Sequence, residues 1–252
     1  MTKCKESGVR IEANFWPPAV QVGYADVKDS GGICTETTYG LQAGLFNNFS
    51  NLFRGLQLGV VNSGDNVKGV AIGAVNVHKK ISGVHVGLWN YAFEEAKTVG
   101  VGVVNQSAGD LIGAHVGLVN LARGTMEGFQ ASFWNSNQER PFGYSNTKGL
   151  QIGGLNKTEG SSSGFQVGMI NSAWHNMTGL QVAILNMVDM LGNMENGLHF
   201  GIFNSAEKMN NGAVGVFNFS ENCKYFTPFT GAFCLFGPAE KKWHPSEVDW
   251  GG

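Results

Sequence analysis

One eight-residue pattern, repeated twelve times between Gly40 and Asn218, constrains the fold of this chain more than any other feature. A clear copy is Gly164-Phe165-Gln166-Val167-Gly168-Met169-Ile170-Asn171. Numbered one to eight, its places are glycine, apolar, glutamine or histidine, apolar, glycine, apolar, apolar and asparagine. Place eight is Asn47, Asn62, Asn76, Asn90, Asn105, Asn120, Asn135, Asn156, Asn171, Asn186, Asn204 and Asn218. Ten of the eleven spacings between these asparagines are 14, 15 or 18 residues, and the remaining one is 21. A short unit at a nearly fixed period is the mark of a solenoid or an array.

Places two, four and six are apolar in almost every copy, which is the period of a strand. The glycines, and the prevalence of valine, isoleucine and phenylalanine, argue against helix. About 15 residues allow one eight-residue strand, a turn, a shorter return strand and a second turn. The expected fold is therefore all-β, a single elongated parallel β-solenoid (β-helix) of about twelve short coils with a cap at each end. At ~4.8 Å per strand such a rod is about 58 Å long, and equivalent residues stack into ladders. Asparagine at place eight can satisfy turn backbone groups and the amides of neighbouring coils. An antiparallel meander or barrel would send successive asparagines to alternate ends and lose that ladder. Val67, Ile81, Leu111 and Met126, each two before a glycine, predict a second short strand that sends one side chain to the core.

The chain divides into an N-terminal cap over residues 1–39, repeats over 40–218 and a C-terminal cap and tail over 219–252. In the first, Trp16-Pro17-Pro18 forces an extended path, and Val20 to Asp26 reads as a worn copy of the repeat with aspartate at place eight. An insertion, 136–148, accounts for the long spacing. Past Asn218 an aromatic-rich run, Phe226 to Phe236, suits a plug for the open end. Cys4, Cys34, Cys223 and Cys234 all lie outside the repeats. They allow three pairings, and two local bridges or free thiols both remain open.

A net charge of −2 and a pI of about 6.3 are a poor footprint for nucleic acid. No run of 18 uncharged apolar residues occurs, so no membrane-spanning segment is expected. The start, Met1-Thr-Lys-Cys-Lys-Glu, lacks the apolar core of a signal peptide. That leaves a cytoplasmic chain or a mature form whose leader was removed.

None of the 96 repeat places holds a carboxylate, whereas a glycosidase places paired acids about its substrate. No catalytic residue, cofactor or metal is expected. His85, His115 and His199 occupy place three and read as substitutes for glutamine. His85 and His115 would stand two coils, roughly 10 Å, apart, too far to share a metal. The Asn-x-Ser/Thr sequons at Asn105, Asn156 and Asn218 read as by-products of the repeat, and Trp89 and Trp134 at place seven as core or corner filling.

Strand alternation puts places two, four and six on one side and three, five and seven on the other. The first set is the more uniformly apolar and is assigned to the core. The second then exposes Gln42, Gln57, His85, His115, Gln130, Gln151, Gln166, Gln181 and His199 as an uncharged ladder face. Such a surface marks an interaction site and invites self-association. In the alternative the second set faces inward and the glutamines pair along the stack. The expected function is a non-enzymatic surface or secreted repeat protein that binds a protein or glycan partner, or itself, through the ladder face. A β-helix polysaccharide hydrolase or lyase and a structural rod or self-assembly element are the alternatives.

Gly55-Leu-Gln-Leu-Gly-Val-Val-Asn62, Gly149-Leu-Gln-Ile-Gly-Gly-Leu-Asn156 and Gly179-Leu-Gln-Val-Ala-Ile-Leu-Asn186 resemble the G-L-Q-h-G-L-h-N repeats of the leptospiral-type bacterial surface repeat proteins. The resemblance covers roughly residues 20–236. It implies a bacterial surface or secreted protein of undefined activity and carries no catalytic residues with it.

Overall fold

A computed structural model describes residues 7–15, 18–30, 33–138, 145–194, 197–209 and 213–220. The described chain is strand and turn throughout, a β-solenoid of about 11 turns. Two antiparallel strands lead in, β1 (Gly8–Phe15) and β2 (Pro18–Ser30). The coils follow in β3 (Ile33–Ile72), β4 (Val75–Ala92), β5 (Ala96–Ser107), β6 (Leu111–Val116), β7 (Val119–Arg123), β8 (Met126–Gln138), β9 (Thr147–Thr158), β10 (Ser162–Ala173), β11 (Met177–Val182) and β12 (Leu185–Met194). Four short strands complete it: β13 (Leu198–Phe200), β14 (Phe203–Met209), β15 (Ala213–Val214) and β16 (Phe217–Phe219).

Each coil is one repeat. A first arm carries places one to four, a bend takes places five and six, and a second arm carries place seven onward. Parallel pairing stacks like on like, as in Gln151↔Gln166↔Gln181 along the first arms and Asn156↔Asn171↔Asn186 along the second. The 21-residue spacing leaves this register intact, since Asn135 still pairs with Asn156. Asn137 clamps the base of the insertion, donating to Asn146 O at 3.0 Å and to Thr147 Oγ1 at 3.0 Å.

The lead-in corrects one expectation. Val20 to Asp26 is not a worn coil, because β2 runs antiparallel to β3, with Gln21 opposite Gln42 and Gly23 opposite Gly40. Only two residues separate Ser30 from Ile33. That is enough for a hairpin and far too few for a parallel crossover. The aromatic run Phe226–Phe236 and Cys4, Cys223 and Cys234, with any bridge they form, lie outside the described residues.

Places two, three, four and six face the reverse of the assignment made from apolar content, while place seven lies outside as that assignment had it. No residue at places two, four, six or seven is buried among the described copies. Leu88, Leu118 and Phe133 are 63%, 59% and 65% exposed. Trp89 and Trp134, expected as core or corner filling, stand outside at 49% and 44%. Place three and place eight turn inward instead. The apolar core comes from two other columns, one two before the place-one glycine and one two after the place-eight asparagine. Phe53, Val67, Ile81, Ala92, Ala96, Leu111, Ala122 and Met126 form one cluster, and Met177, Val188 and Ala206 a second, joined by Ala213 from place three. Between them, in the coils around the insertion, the same columns hold Asn137, Thr147, Thr158 and Ser162, all buried.

Candidate functional site

Four inward columns fill the coil, and two of them are amides. From Asn47 to Asn204 each place-eight asparagine Nδ2 makes two bonds to the following coil: one to the next asparagine Oδ1 and one to the carbonyl of place four. Asn76, for example, donates to Asn90 Oδ1 at 2.8 Å and to Val86 O at 3.0 Å. The side-chain links run unbroken from Asn47 to Asn218. Buried polar groups are tolerated when paired in this way. Place-five glycine makes room for it. A Cβ on Gly87 would lie 2.4 Å from Gly73 O, 2.7 Å from Asn76 Nδ2 and 3.1 Å from Asn90 Oδ1. Place-one glycines have a second reason: Gly83, at φ +140°, would drive a Cβ to 1.9 Å from Gly69 O.

Glutamines pair the other way along the stack. Gln151 donates to Gln130 at 2.9 Å, Gln166 to Gln151 at 2.8 Å and Gln181 to Gln166 at 2.6 Å, while Gln57 donates to Gln42 at 3.0 Å. Between Gln57 and Gln130 place three reads Ala71, His85, Gly100 and His115, small and large in alternation. His78 enters beside Ala71, places Nε2 3.0 Å from Gln57 Oε1 and lies 4.9 Å from the His85 ring. His115 occupies the space over Gly100, where a Cβ would sit 2.9 Å from its Cδ2.

The residues expected to bind a partner are therefore inside. Gln57, Gln130, Gln151, Gln166, Gln181 and His199 have no exposed surface, and Gln42, His85 and His115 almost none. The ladder face is an interior seam, and the paired-glutamine alternative holds. The physical reason is that a paired amide stack satisfies itself without water, so burying it costs little while charged connectors need the outside.

Burial shapes the histidines. It pushes His78, His115 and His199 down to about 4 and His85 well below its ordinary value, the last helped by His78 and His115. All four stand neutral at pH 7. Among the described residues no group of three His, Cys, Asp or Glu side chains could hold a metal ion. Ladder positions also account for the sequons at Asn105, Asn156 and Asn218, whose side chains are buried or nearly so.

Outside, chemistry is sparse. A shallow depression of about 540 Å³ on the turn side is lined by Ser63, Asp65, Val77, Lys79, Phe93 and Glu94 among others. Glu94 is ion-paired to Lys79 at 3.4 Å and to Lys80 at 3.3 Å. The hydrogen bond from Lys80 chiefly holds its carboxyl below the usual range, the opposite of what a general acid in glycoside cleavage needs.

What remains is the exterior of the bend. Every residue at places four, six and seven of all twelve copies is apolar or glycine, and so is place two. These columns wrap the end of the first arm, the bend and the start of the second arm. Charged residues gather at the opposite, turn edge, as Lys79, Lys80, Glu94, Glu95, Asp110 and Glu159. Strand alternation groups places two, four and six and sets place seven with three and five; the bend at places five and six breaks that alternation and brings place seven out beside the first three. No helix among the described residues is long and apolar enough to cross a membrane. No known family, curated protein or solved structure matches the chain.

Proposed function

We propose that the protein is a non-enzymatic binding solenoid that docks through the apolar columns around its bend, with the amide ladders as its rigid frame. One observation carries the reading: places two, four, six and seven face outward along the whole array and hold no charge. Contiguous apolar surface on that scale marks an interaction site. The columns are not needed for the core, which other residues fill. The expectation of a partner-binding repeat protein is thus kept, and its surface moves from place three to the places beside it. Location at a bacterial surface rests on the repeat resemblance and belongs to the same proposal. The test replaces Val86, Val101 and Val116 together with aspartate. The variant keeps its far-UV spectrum and melting temperature but loses retention on an alkyl matrix and enhancement of an apolar dye. Equal retention of parent and variant rejects the reading.

A further inference from the structure

We infer that the occupant of these columns is one leaflet of an anionic lipid bilayer, with the bend edge immersed and the turn edge in water. The inference rests on the apolar docking surface proposed above and names what covers it.

Shape is the first argument. The apolar columns turn around a convex edge, from the outside of the first arm at places two and four, over the bend at place six, to the second arm at place seven. A second copy laid flat on either arm would leave the other side wet, whereas a fluid hydrocarbon layer covers both. Depth agrees. Places two to four span two residues, about 7 Å of strand, before the bend at places five and six, a depth that stays within the ~15 Å apolar half of a bilayer. The third argument is what lies beneath. Behind the apolar exterior the interior is amide, with Nδ2 of each asparagine to Asn204 bonded twice within the protein. An asparagine ladder satisfied internally beneath an apolar outside is the arrangement hydrocarbon requires, while in the place-three column His85 Nε2, Gln181 Oε1 and both ring nitrogens of His199 have no partner. In the turn half the order is the ordinary one, with Leu111 and Met126 inside and lysine and glutamate outside.

Charge names the leaflet. In the column just before the place-one glycine, Arg54, Lys68, Lys97 and Lys148 are exposed against one carboxylate of that column, Glu127, which pairs with Lys148 at 3.0 Å, while Lys97 pairs with the neighbouring Glu95 at 3.0 Å. These cations precede place two by two residues, about 7 Å of strand, where headgroups would lie if the bend is immersed, and basic residues at that level favour anionic lipid. Indoles stand at the other margin. Trp89 and Trp134 at place seven border a mixed second-arm column in which Tyr91, Gln106 and Lys157 occur alongside Val77, Leu121 and Met187, and tryptophan prefers such apolar-to-polar margins in membranes.

The test is flotation of the full-length protein with vesicles of phosphatidylcholine, alone or mixed with phosphatidylglycerol, beside sedimentation velocity without lipid. The protein is expected to float with mixed vesicles, about tenfold more weakly with phosphatidylcholine alone, and to blue-shift its tryptophan emission. Leu88→Asp, Leu118→Asp and Met169→Asp combined should abolish flotation with an unchanged far-UV spectrum, and Arg54→Gln with Lys68→Gln and Lys97→Gln should erase the headgroup preference. Failure to float, with dimers or larger species that the aspartate variant dissolves, overturns the lipid occupant and leaves apolar docking standing. A chain that neither floats nor self-associates overturns both. Equal flotation on both lipids overturns the anionic leaflet.

Discussion

Asn171 Nδ2 donates to Asn186 Oδ1 at 3.0 Å, and that single contact repeats, coil after coil, along the whole described array. The same nitrogen reaches Val182 O at 3.2 Å and Gln166 O at 3.0 Å. Replacing Asn171 by alanine therefore orphans Asn186 Oδ1 and removes one partner each from the Val182 carbonyl and from the Asn156 amide, which keeps Val167 O. Each buried orphan costs about 1–3 kcal/mol, so Asn171→Ala should lower the melting temperature by several degrees or more. Asn171→Asp should be worse at neutral pH, because a buried carboxylate then faces three acceptors. Differential scanning calorimetry of the pair checks the order; a parent-like Asn171→Asp would refute the ladder.

The two glycine columns predict a graded series. Gly83→Ala must place an L residue at φ +140° and a Cβ 1.9 Å from backbone oxygen. Gly87→Ala meets a carbonyl at 2.4 Å and a side-chain amide that can shift slightly. Ala183 and Ser132 already occupy place five in other coils, and Ser132 joins the ladder through a 2.8 Å bond to Asn135 Oδ1. Gly87→Ala should cost about 1–3 kcal/mol and Gly83→Ala distinctly more, enough to threaten folding. Denaturant midpoints measure the difference, and equal values for the two would contradict the geometry.

Buried neutral histidines make stability fall in acid. For His78, His115 and His199 the ordinary value is 6.5 and the folded value about 4. Below pH 6.5 the unfolded chain takes up protons that the folded chain refuses, so stability present above 6.5 is lost progressively down to about 4. Each group contributes on the order of 3 kcal/mol across that window. Melting temperature should drop steeply between pH 7 and pH 5, and His115→Gln should flatten the slope. A melting temperature level from pH 7 to pH 4 would count against these burials.

How much of this was legible follows from what a period can encode. Alternation at places two to four said strand, and the return of Asn47 through Asn218 at one spacing said parallel stacking; both hold. Alternation names two sides without saying which is inside. Hydrophobicity decides that only if polar side chains need water, and Gln151, Gln166 and Gln181 bond to one another along the stack instead. The buried residues Leu111 and Met126 were visible two places before their glycines, yet a column so short in each copy looked secondary. Direction was equally hidden in the lead-in. Gln21 and Gly23 mirror Gln42 and Gly40, and a period of two reads the same backward, so an antiparallel strand resembles a coil.

The central claim is that place three lies inside and place four outside, and Gln166 and Val167 test it as neighbours on one strand. Gln166 is wholly buried, whereas Val167 is 38% exposed. Thermal melts of Gln166→Lys and Val167→Lys, followed by circular dichroism under identical conditions, compare the two sides directly. An unpaired charge forced into the interior costs several kcal/mol or more, and a surface substitution usually stays within about 0.5 kcal/mol. The account predicts that Val167→Lys melts within a few degrees of the parent while Gln166→Lys melts far lower or fails to fold. A stable Gln166→Lys beside an unfolded Val167→Lys would contradict it.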